Sequence, residues 1–448
     1  MNSPMDTLLR NHDVDVVEPG HAEHEAAGRS VFAAGNPAYV LRPATTAAVQ
    51  AAVTFAAGTG LPLSVRGGGH AFQGFGTNDD GVVIDLSRLS TVEVVDSGRH
   101  LVRVGGGATW GHVADALAPH GLAISSGDTR SVGVGGLTLA GGIGWKVRKH
   151  GLALDQLVAA EVVTATGDLV PTSAEQAPDL FWAIRGGGGN LGIVASFTFA
   201  AHPTTDVFHG KITFPASEAA AVLPGWADHL RTAPDELTSI AVLANPMAGG
   251  PEAPVEIHVV FDGDDPELAA HAIDPIRGLG SVIDDDVAVT PYAAVLAEGM
   301  KPPPGLQFVT RSAYVDEESV PAVLGILADV ATSPGSPVIS VRGLGGAVAR
   351  VPAEATAYAH RSAELVFVTI TAGPPPVVEA AQPALRATWE RLEPHIGGAY
   401  ANFLSRATEE EVAAIYPAAT LERLREVKRR YDPGNLFAGN HNVRPDGA

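Results

Sequence analysis

The segment VRGGGHAFQGFG, residues 65–76, decides how the N-terminal half of this chain is interpreted. It lies between LPLS (61–64) and GVVIDLS (81–87), two short runs that predict strands. Successive glycines let their backbone N–H groups face an anion, which is how proteins hold a pyrophosphate. The imidazole of His70, directly after this turn, would then lie beside the bound ligand. Taken alone, each glycine cluster of the chain is more simply explained by a tight turn.

Composition and charge exclude several classes of function. The 448 residues are 46% hydrophobic and 18% charged, as expected for a globular protein of about two domains. A net charge of -21, without a stripe of basic residues, predicts no nucleic-acid and no membrane partner. The sequence has no cysteine, and no HExxH or paired His/Asp spacing accompanies His70, so we expect no disulfide and no metal site. The N-terminal residues lack a signal pattern, which favours a cytoplasmic location.

Helix and strand patterns divide the chain near Thr204. The part before it is rich in glycine and short strands, with helices predicted over 45–58, ending at Gly58, and over 109–121. The part after it has longer strands and helices, among them a helix with Asp265 as N-cap and Pro266 at its first position. No repeat or low-complexity linker separates the two parts, so we expect them to pack closely together.

The glycines Gly187, Gly189 and Gly192 spell GxGxxG, the pattern of a nicotinamide-binding turn. That motif requires a preceding strand and a following helix. Here the order is reversed, because PDLFWAIR (178–185) predicts a helix and GIVASFTF (192–199) predicts a strand. The sequence therefore disfavours a nicotinamide-dependent enzyme.

Six motifs in order along the chain carry a resemblance to a known family. They are VRGGGHAFQGFG (65–76), VGVGGLTLAGGIGWKVRKHGLALDQLVAAEVVTATGDL (132–169), DLFWAIRGGGGNLGIV (179–194), ATAYAHR (355–361), YANF (400–403) and YDPGNLFAGNHNVRP (431–445). Together they resemble the berberine-bridge-enzyme-like branch of the vanillyl-alcohol-oxidase flavoprotein superfamily. Within this branch the sequence is most similar to bacterial members such as 6-hydroxy-D-nicotine oxidase and the enterocin-pathway flavin oxygenase.

The resemblance implies an α+β fold of two domains. A PCMH-type FAD-binding domain would span residues 1–205, and a substrate domain of antiparallel sheet backed by helices would span 206–416. A C-terminal segment, 417–448, would return to the FAD-binding domain. The active site is expected between the sheet and the flavin ring, since ligand sites favour domain interfaces.

The same resemblance implies FAD joined covalently to His70 and assigns further residues to the cofactor. Thr129 stands where many relatives have a cysteine that forms a second bond to the flavin, so we expect one bond. Val132 matches a position where a small side chain leaves oxygen access to the flavin, which favours an oxidase over a dehydrogenase. The remaining predicted cofactor residues are Arg66, Gly67, Gly68, Gly69, Gly133, Gly136, Gly141, Gly142, Gly144, Val194 and Asn440.

The catalytic residues are less clearly indicated. Many relatives carry a tyrosine as catalytic base where this chain has Phe403, which cannot accept a proton. Tyr400 and His360 are the remaining candidates, although a regular strand over 400–403 would turn Tyr400 to the opposite face of the sheet from Phe403. A structural role for His360 is equally compatible with the sequence.

The expected reaction is transfer of a hydride from a small organic substrate to FAD, with O₂ as the acceptor and H₂O₂ as product. Without an obvious base, an amine, a phenolic or another hydroxyl compound is favoured over a sugar. A biosynthetic flavin monooxygenase and a flavoprotein with impaired catalysis are the alternatives. The expected partners are a small-molecule substrate and O₂, without nucleic acid or membrane, and the expected oligomeric state is a monomer or homodimer.

Overall fold

The computed structural model describes residues 12–243, 254–299, 301–333 and 336–445. Residues 1–11, on which part of the expected cytoplasmic location depends, lie outside this range. Within the described ranges, none of the helices combines the length and the apolar character that a membrane crossing requires.

Helices and strands are numbered here in chain order. The N-terminal half contains strands β1 (Val14–Val17), β2 (Tyr39–Pro43), β3 (Leu63–Arg66), β4 (Val82–Asp85), β5 (Val92–Asp96), β6 (Leu101–Gly105), β7 (Leu122–Ala123), β8 (Leu157–Val163), β9 (Leu169–Ser173), β10 (Ile193–Ala200) and β11 (His202–Pro203). Its helices are α1 (His24–Ala27), α2 (Thr46–Thr59), α3 (Trp110–Leu117), α4 (Val134–Ala140), α5 (Val147–His150) and α6 (Pro178–Ala183).

The remaining strands are β12 (Asp206–Phe214), β13 (Leu237–Leu243), β14 (Val255–Phe261), β15 (Asp284–Asp285), β16 (Ala288–Pro291), β17 (Gln307–Val315), β18 (Val338–Gly343) and β19 (Leu365–Gly373). The remaining helices are α7 (Ala219–Thr232), α8 (Pro266–Arg277), α9 (Tyr292–Val295), α10 (Val320–Ala331), α11 (Gly346–Arg350), α12 (Pro375–Leu392), α13 (Glu409–Ile415) and α14 (Ala418–Tyr431).

The N-terminal half is built on two sheets. The first has the order β1-β2-β4-β3, with β4 parallel to both of its neighbours, and the second has the antiparallel order β5-β6-β10-β8-β9. Helix α2 packs between them, because its apolar side chains Val53 and Phe55 join a core with Ile84 of the first sheet and Ile193 of the second. The loop that carries Gly67–Gly69 begins where β3 ends.

The ends of α2 correct one detail of the sequence prediction. The Thr45 hydroxyl caps the helix as expected, since it accepts a hydrogen bond from the N–H of Ala48 at 3.1 Å. The helix does not end at Gly58, because that glycine keeps the helical conformation. The chain leaves the helix at Gly60, whose φ of +68° is the left-handed conformation that closes helices.

The second half is a single antiparallel sheet in the order β15-β12-β14-β13-β18-β19-β17, with β16 paired to β12. One face is covered by helices, where Trp226 of α7, Leu324 of α10 and Trp389 of α12 pack in one core with Phe367 of β19. The other face is turned toward the N-terminal half. The predicted α+β fold with a helix-backed antiparallel sheet is therefore confirmed. The domain bounds 1–205, 206–416 and 417–448 stay a prediction.

Candidate active site

One large cavity lies between the glycine-rich loops of the N-terminal half and the open face of the second sheet. Its volume is about 590 Å³, within the range expected for a site that binds a small molecule or cofactor. Its walls include the Gly67–Gly69 loop, the segment from Gly127 to Ala140, strands β18 and β19, and the C-terminal stretch near Asn440. The cavity therefore lies where an active site is expected, between the glycine-rich loops and the second sheet.

The loop Gly67–Gly69 has the properties of an anion-binding turn. Among the described residues, no acceptor is found for the backbone N–H groups of these three glycines. A Cβ atom at Gly68 would overlap the backbone of Gly133, and Gly69 has a φ of +70°. Residues with a side chain are therefore disfavoured at Gly68 and Gly69. Without side chains, the loop can bring its N–H groups close to a ligand in the cavity.

Arg66, the last residue of β3, holds the start of this loop in place through its guanidinium. Its guanidinium forms a buried ion pair with Asp85 at 2.8 Å and donates hydrogen bonds to the carbonyls of Ala27 and Arg29. Arg66 lines the cavity. Its guanidinium, however, is bonded to other groups of the protein. The arrangement fixes the point at which the chain leaves β3.

His70 follows the loop and is half-buried against the cavity. Its Nε2 atom lies 2.9 Å from the hydroxyl of Ser131, and its ring packs edge-on against Phe32, with the centroids 6.1 Å apart. Burial lowers the pKa of the imidazole, because the charged form loses solvation. At neutral pH the ring is therefore uncharged and carries a lone pair, which is the state required of a nucleophile.

The other predicted cofactor residues divide into two groups. Those that line the same cavity are Thr129, Val132, Gly133, Gly136, Val194 and Asn440. Gly141, Gly142 and Gly144 are not part of its lining. They hold the chain behind it, since the N–H of Gly142 donates to Tyr400 and a Cβ atom at Gly144 would overlap the carbonyl of Ser126.

Tyr400 and Phe403 line the cavity together, which corrects the expectation that a strand would separate them. Residues Ala401–Phe403 form a 3-10 turn, because the chain bends after Tyr400. The two rings meet edge to face with centroids 4.9 Å apart. The hydroxyl of Tyr400 accepts hydrogen bonds from the N–H of Gly142 and the amide of Asn402, both at 2.9 Å. Burial raises the pKa of Tyr400, so its neutral form is favoured over the phenolate that a base requires.

His360 lies outside this cavity. Its ring stacks on Tyr314 with centroids 4.5 Å apart, and its Nε2 atom is 3.1 Å from the carbonyl of Ile415. Burial lowers its pKa and keeps the ring neutral. His360 thus packs against Tyr314 and Ile415 and does not line the cavity.

An ion pair in the cavity was missed by the sequence interpretation. Arg342 of β18 reaches across from the second sheet, and its guanidinium lies 2.7 Å from the carboxylate of Asp128. The same carboxylate accepts a hydrogen bond from the Thr129 hydroxyl at 2.9 Å. Burial acts to raise the pKa of Asp128, but Arg342 and Thr129 outweigh it and hold this pKa below its ordinary value. A charged group therefore faces the cavity beside Phe403, over whose ring the Arg342 cation lies at 5.0 Å.

The C-terminal wall of the cavity presents polar atoms without partners. Within the described residues, neither the side-chain oxygen of Asn440 nor the Nδ1 atom of His441 has a hydrogen-bond partner, and both are buried. Such groups are costly unless a ligand or water satisfies them. Together with the free N–H groups of the glycine loop, they fit a long polar cofactor. Among the residues described, no group of three or more potential ligands is placed to bind a metal ion.

An anion-binding glycine loop beside the cavity suits a cofactor that carries a pyrophosphate. The class of protein is shown by comparison with known families, which makes this chain a flavin-dependent oxidoreductase. A family model described as "FAD binding domain" matches residues 37–173, and one described as "Berberine and berberine like" matches residues 399–444.

Known relatives agree with this class over almost the full chain. The (R)-6-hydroxynicotine oxidase of Paenarthrobacter nicotinovorans is 31% identical, with 92% of each chain covered. The xylooligosaccharide oxidase of Thermothelomyces thermophilus is 32% identical, with 91% of this chain and 87% of the relative covered. The crystal structure of 6-hydroxy-D-nicotine oxidase from Arthrobacter nicotinovorans superimposes with a TM-score of 0.87 at 27% identity, covering both chains completely. The chain belongs to the berberine-bridge-enzyme-like FAD-linked oxidases of the vanillyl-alcohol-oxidase superfamily.

Proposed function

We propose that the enzyme carries FAD on a single covalent bond from His70 and oxidises a small amine, phenolic or other hydroxyl compound. The observation that carries the covalent bond is the neutral imidazole at the end of the unpaired glycine loop. Attachment would replace one imidazole N–H and one C–H of the flavin 8α-methyl group by a C–N bond. Two electrons and two protons would pass to O₂ and leave as H₂O₂.

The chain's own residues would hold the cofactor along the cavity. The N–H groups of Gly67–Gly69 suit the pyrophosphate, the residues from Val132 to Gly136 and Val194 offer apolar and backbone surface, and Asn440 offers a free oxygen. Bound FAD supplies a hydride acceptor and a route for the electrons to O₂. Thr129 has a hydroxyl that is already bonded to Asp128 and has no thiolate, which supports one covalent bond.

The second sheet determines what faces this cofactor. Val368, Ile370 and Phe403 present apolar surface to the cavity, and the Asp128–Arg342 pair supplies its charges. Beside His70, the rings of Phe32 and Phe72 stack with centroids 4.5 Å apart. This apolar and aromatic surface supports an aromatic amine or a phenolic compound over an oligosaccharide, whose many hydroxyls need many partners.

A first experiment tests the covalent bond. The purified holoenzyme is precipitated with acid, and the yellow colour should remain with the protein, while the His70→Ala variant should release its flavin into the supernatant. Intact mass should show the added FAD in the natural protein and not in the variant. Flavin released freely from the natural protein would contradict the single bond to His70.

A second experiment tests the substrate class. H₂O₂ formation is followed with a panel of cyclic amines, substituted phenols, (R)-6-hydroxynicotine and xylobiose. We expect turnover of aromatic amines or phenols, one H₂O₂ per substrate oxidised. Turnover of xylobiose alone would contradict the proposed class, and labelled oxygen from ¹⁸O₂ in the product would indicate a monooxygenase.

A further inference from the structure

The His70 ring is oriented by one polar side chain. Its Nε2 atom is 2.9 Å from Ser131 Oγ. In the part of the chain that the structure describes, the Nδ1 atom has no hydrogen-bond partner. One ring nitrogen is therefore engaged with the protein and the other is left for a ligand in the cavity.

Ser131 has neighbours from both halves of the chain. The N–H of the preceding Arg130 donates to the carbonyl of Ala297 at 2.9 Å. A Cβ atom at Gly299 would overlap the Ser131 hydroxyl, and one at Gly68 would approach the Ser131 carbonyl. Ser131 thus lies between the glycine loop and a segment of the second half, and a side chain at Gly299 would displace its hydroxyl.

A hydroxyl at this place can serve both states of the ring. A serine hydroxyl accepts one hydrogen bond and also donates one. Before attachment the hydroxyl can accept a hydrogen bond from the N–H group at Nε2, so that the lone pair of the ring remains on Nδ1. After a bond has formed at Nδ1, the neutral ring carries no proton on Nε2, and the hydroxyl can turn to donate to it. The proton lost from Nε2 is the one that the imidazole gives up when the C–N bond to the flavin forms.

We propose that Ser131 is a positioning residue for cofactor attachment, which fixes the His70 tautomer and directs the covalent bond to Nδ1. This inference rests on the proposed covalent FAD. It assigns to Ser131 a part in loading the enzyme and not in handling the substrate.

The rate of attachment tests this role without a substrate. Apoprotein is mixed with FAD in aerated buffer at pH 7, and covalent flavin is followed by intact mass and by colour retained after acid precipitation. We expect Ser131→Ala to attach FAD roughly tenfold more slowly, as loss of one hydrogen bond suggests. Ser131→Thr keeps the hydroxyl and should attach FAD faster than the alanine variant. Ser126→Ala, in the same loop with its hydroxyl bonded to Gly127, is the matched control and should behave as the natural protein.

The attachment atom gives a readout that a purely structural residue would not change. Flavin peptides are hydrolysed and compared with standards of the two histidyl isomers. The natural protein should give the Nδ1 isomer alone, and Ser131→Ala should give a mixture with Nε2. Gly299→Ala, which presses on the hydroxyl from the other side, is a second variant should Ser131→Ala fold poorly, and it should also slow attachment.

The outcomes separate the two proposals. Natural protein without covalent flavin would overturn the proposed single bond and this inference with it. Natural protein with covalent flavin, but a Ser131→Ala variant that attaches FAD at the natural rate and only at Nδ1, would overturn the role of Ser131 alone.

Discussion

At the scale of single residues, we expect Asp128 to be the proton acceptor in place of the tyrosine base of many relatives. Phe403 cannot take a proton, and the Tyr400 hydroxyl is neutral and already bonded to two donors. The Asp128 carboxylate is 28% exposed inside the cavity and stays ionised because Arg342 lies beside it. We therefore expect it to accept the hydrogen bond, and finally the proton, of the substrate's N–H or O–H group.

The variant Arg342→Gln tests this assignment through pH. Without the guanidinium, burial is left to raise the pKa of Asp128. The carboxyl group then protonates at higher pH than in the natural enzyme, so the acid limb of the kcat/KM profile should move to higher pH. At pH 7 the loss of the charged partner should lower kcat/KM by about 10- to 100-fold. The profile is measured with the best substrate of the H₂O₂ panel.

A matched arginine provides the control. Arg350 of α11 forms an ion pair with Asp235 that is largely exposed to solvent. Arg350→Gln should leave both the acid limb and kcat/KM unchanged, since exposed pairs contribute little. An acid limb that stays in place in Arg342→Gln would show that Asp128 is not the titrating acceptor.

The sequence reached only part of this site, for a physical reason. Gly67–Gly69 and His70 are adjacent in the chain, so their chemistry could be read from a short segment. Arg342 is separated from Asp128 by more than two hundred residues, and its strand carries Ser340 and Arg342 on one face and the core residues Ile339 and Val341 on the other. The alternation alone showed that two faces exist, but it did not show which residues of the other half they meet.

At the scale of elements, short-range signals set most helix and strand ends. Asp265 caps α8 as expected, with its carboxylate accepting hydrogen bonds from the N–H groups of Glu267 and Leu268. The run LVFVTITAG, rich in β-branched residues, forms the strand Leu365–Gly373. The expectation of a regular strand over 400–403 is wrong, because the N–H of Phe403 donates to the carbonyl of Tyr400 and closes a 3-10 turn. The Tyr400 hydroxyl also bonds to Gly142, a contact between distant parts of the chain that a short motif does not reveal.

Helix α14 shows how an element far from the cavity supports its wall. The fully buried Lys428 donates to the carboxylate of Asp432 at 2.7 Å and to the carbonyls of Asn190 and Phe437. Asp432 in turn accepts the N–H of Phe437 at 2.9 Å. This pair fixes the turn that follows α14 and leads to Asn440 at the cavity.

Removal of Lys428 should therefore destabilise both the fold and the cofactor site. In Lys428→Ala the buried Asp432 carboxylate loses its cation, at a cost of about 3–5 kcal/mol. We expect a clearly lower unfolding temperature and, in a His70→Ala background, weaker binding of free FAD. Arg429→Ala, next to it in an exposed pair with Glu422, should lose less than about 1 kcal/mol. Equal unfolding temperatures for the two variants would contradict this account.

At the scale of the whole molecule, α5 joins the two halves through its basic side chains. Arg148 donates to the carbonyls of Leu230 and Leu344, and Lys149 donates to the carbonyl of Asp262. Lys146, just before the helix, forms a buried ion pair with the Asp262 carboxylate. The cavity exists only while this junction keeps the second sheet over the glycine loops. The oligomeric state and the cellular location, which depend on other surfaces and signals, stay predictions.

The junction also contains two stacked histidines, and we expect one of them, His202, to make it sensitive to acid. The rings of His150 and His202 are parallel, with centroids 3.9 Å apart. Burial, together with the neighbouring His150 and Lys146, lowers the pKa of His202 to about 4, against the attraction of Asp262. Burial raises the pKa of Asp262 by itself, but His150 and the lysines outweigh it, so this carboxylate stays ionised at neutral pH.

The sign of the pH dependence follows from His202. In the unfolded chain a histidine takes up its proton near pH 6.5, whereas folded His202 does so only near pH 4. Between these values the unfolded state binds more protons, so the free energy of unfolding should fall as the pH is lowered from about 6.5 to 4.

Replacing His202 by Asn removes this group. The slope of the free energy of unfolding against pH should then decrease in that window, by as much as one proton. Exposed His271 on α8 supplies the control, since His271→Asn should keep the natural slope. Urea unfolding of the holoenzyme at half-unit pH steps measures the free energy of unfolding of the natural protein and of both variants. Identical slopes for the natural protein and His202→Asn would show that His202 does not cause the pH dependence.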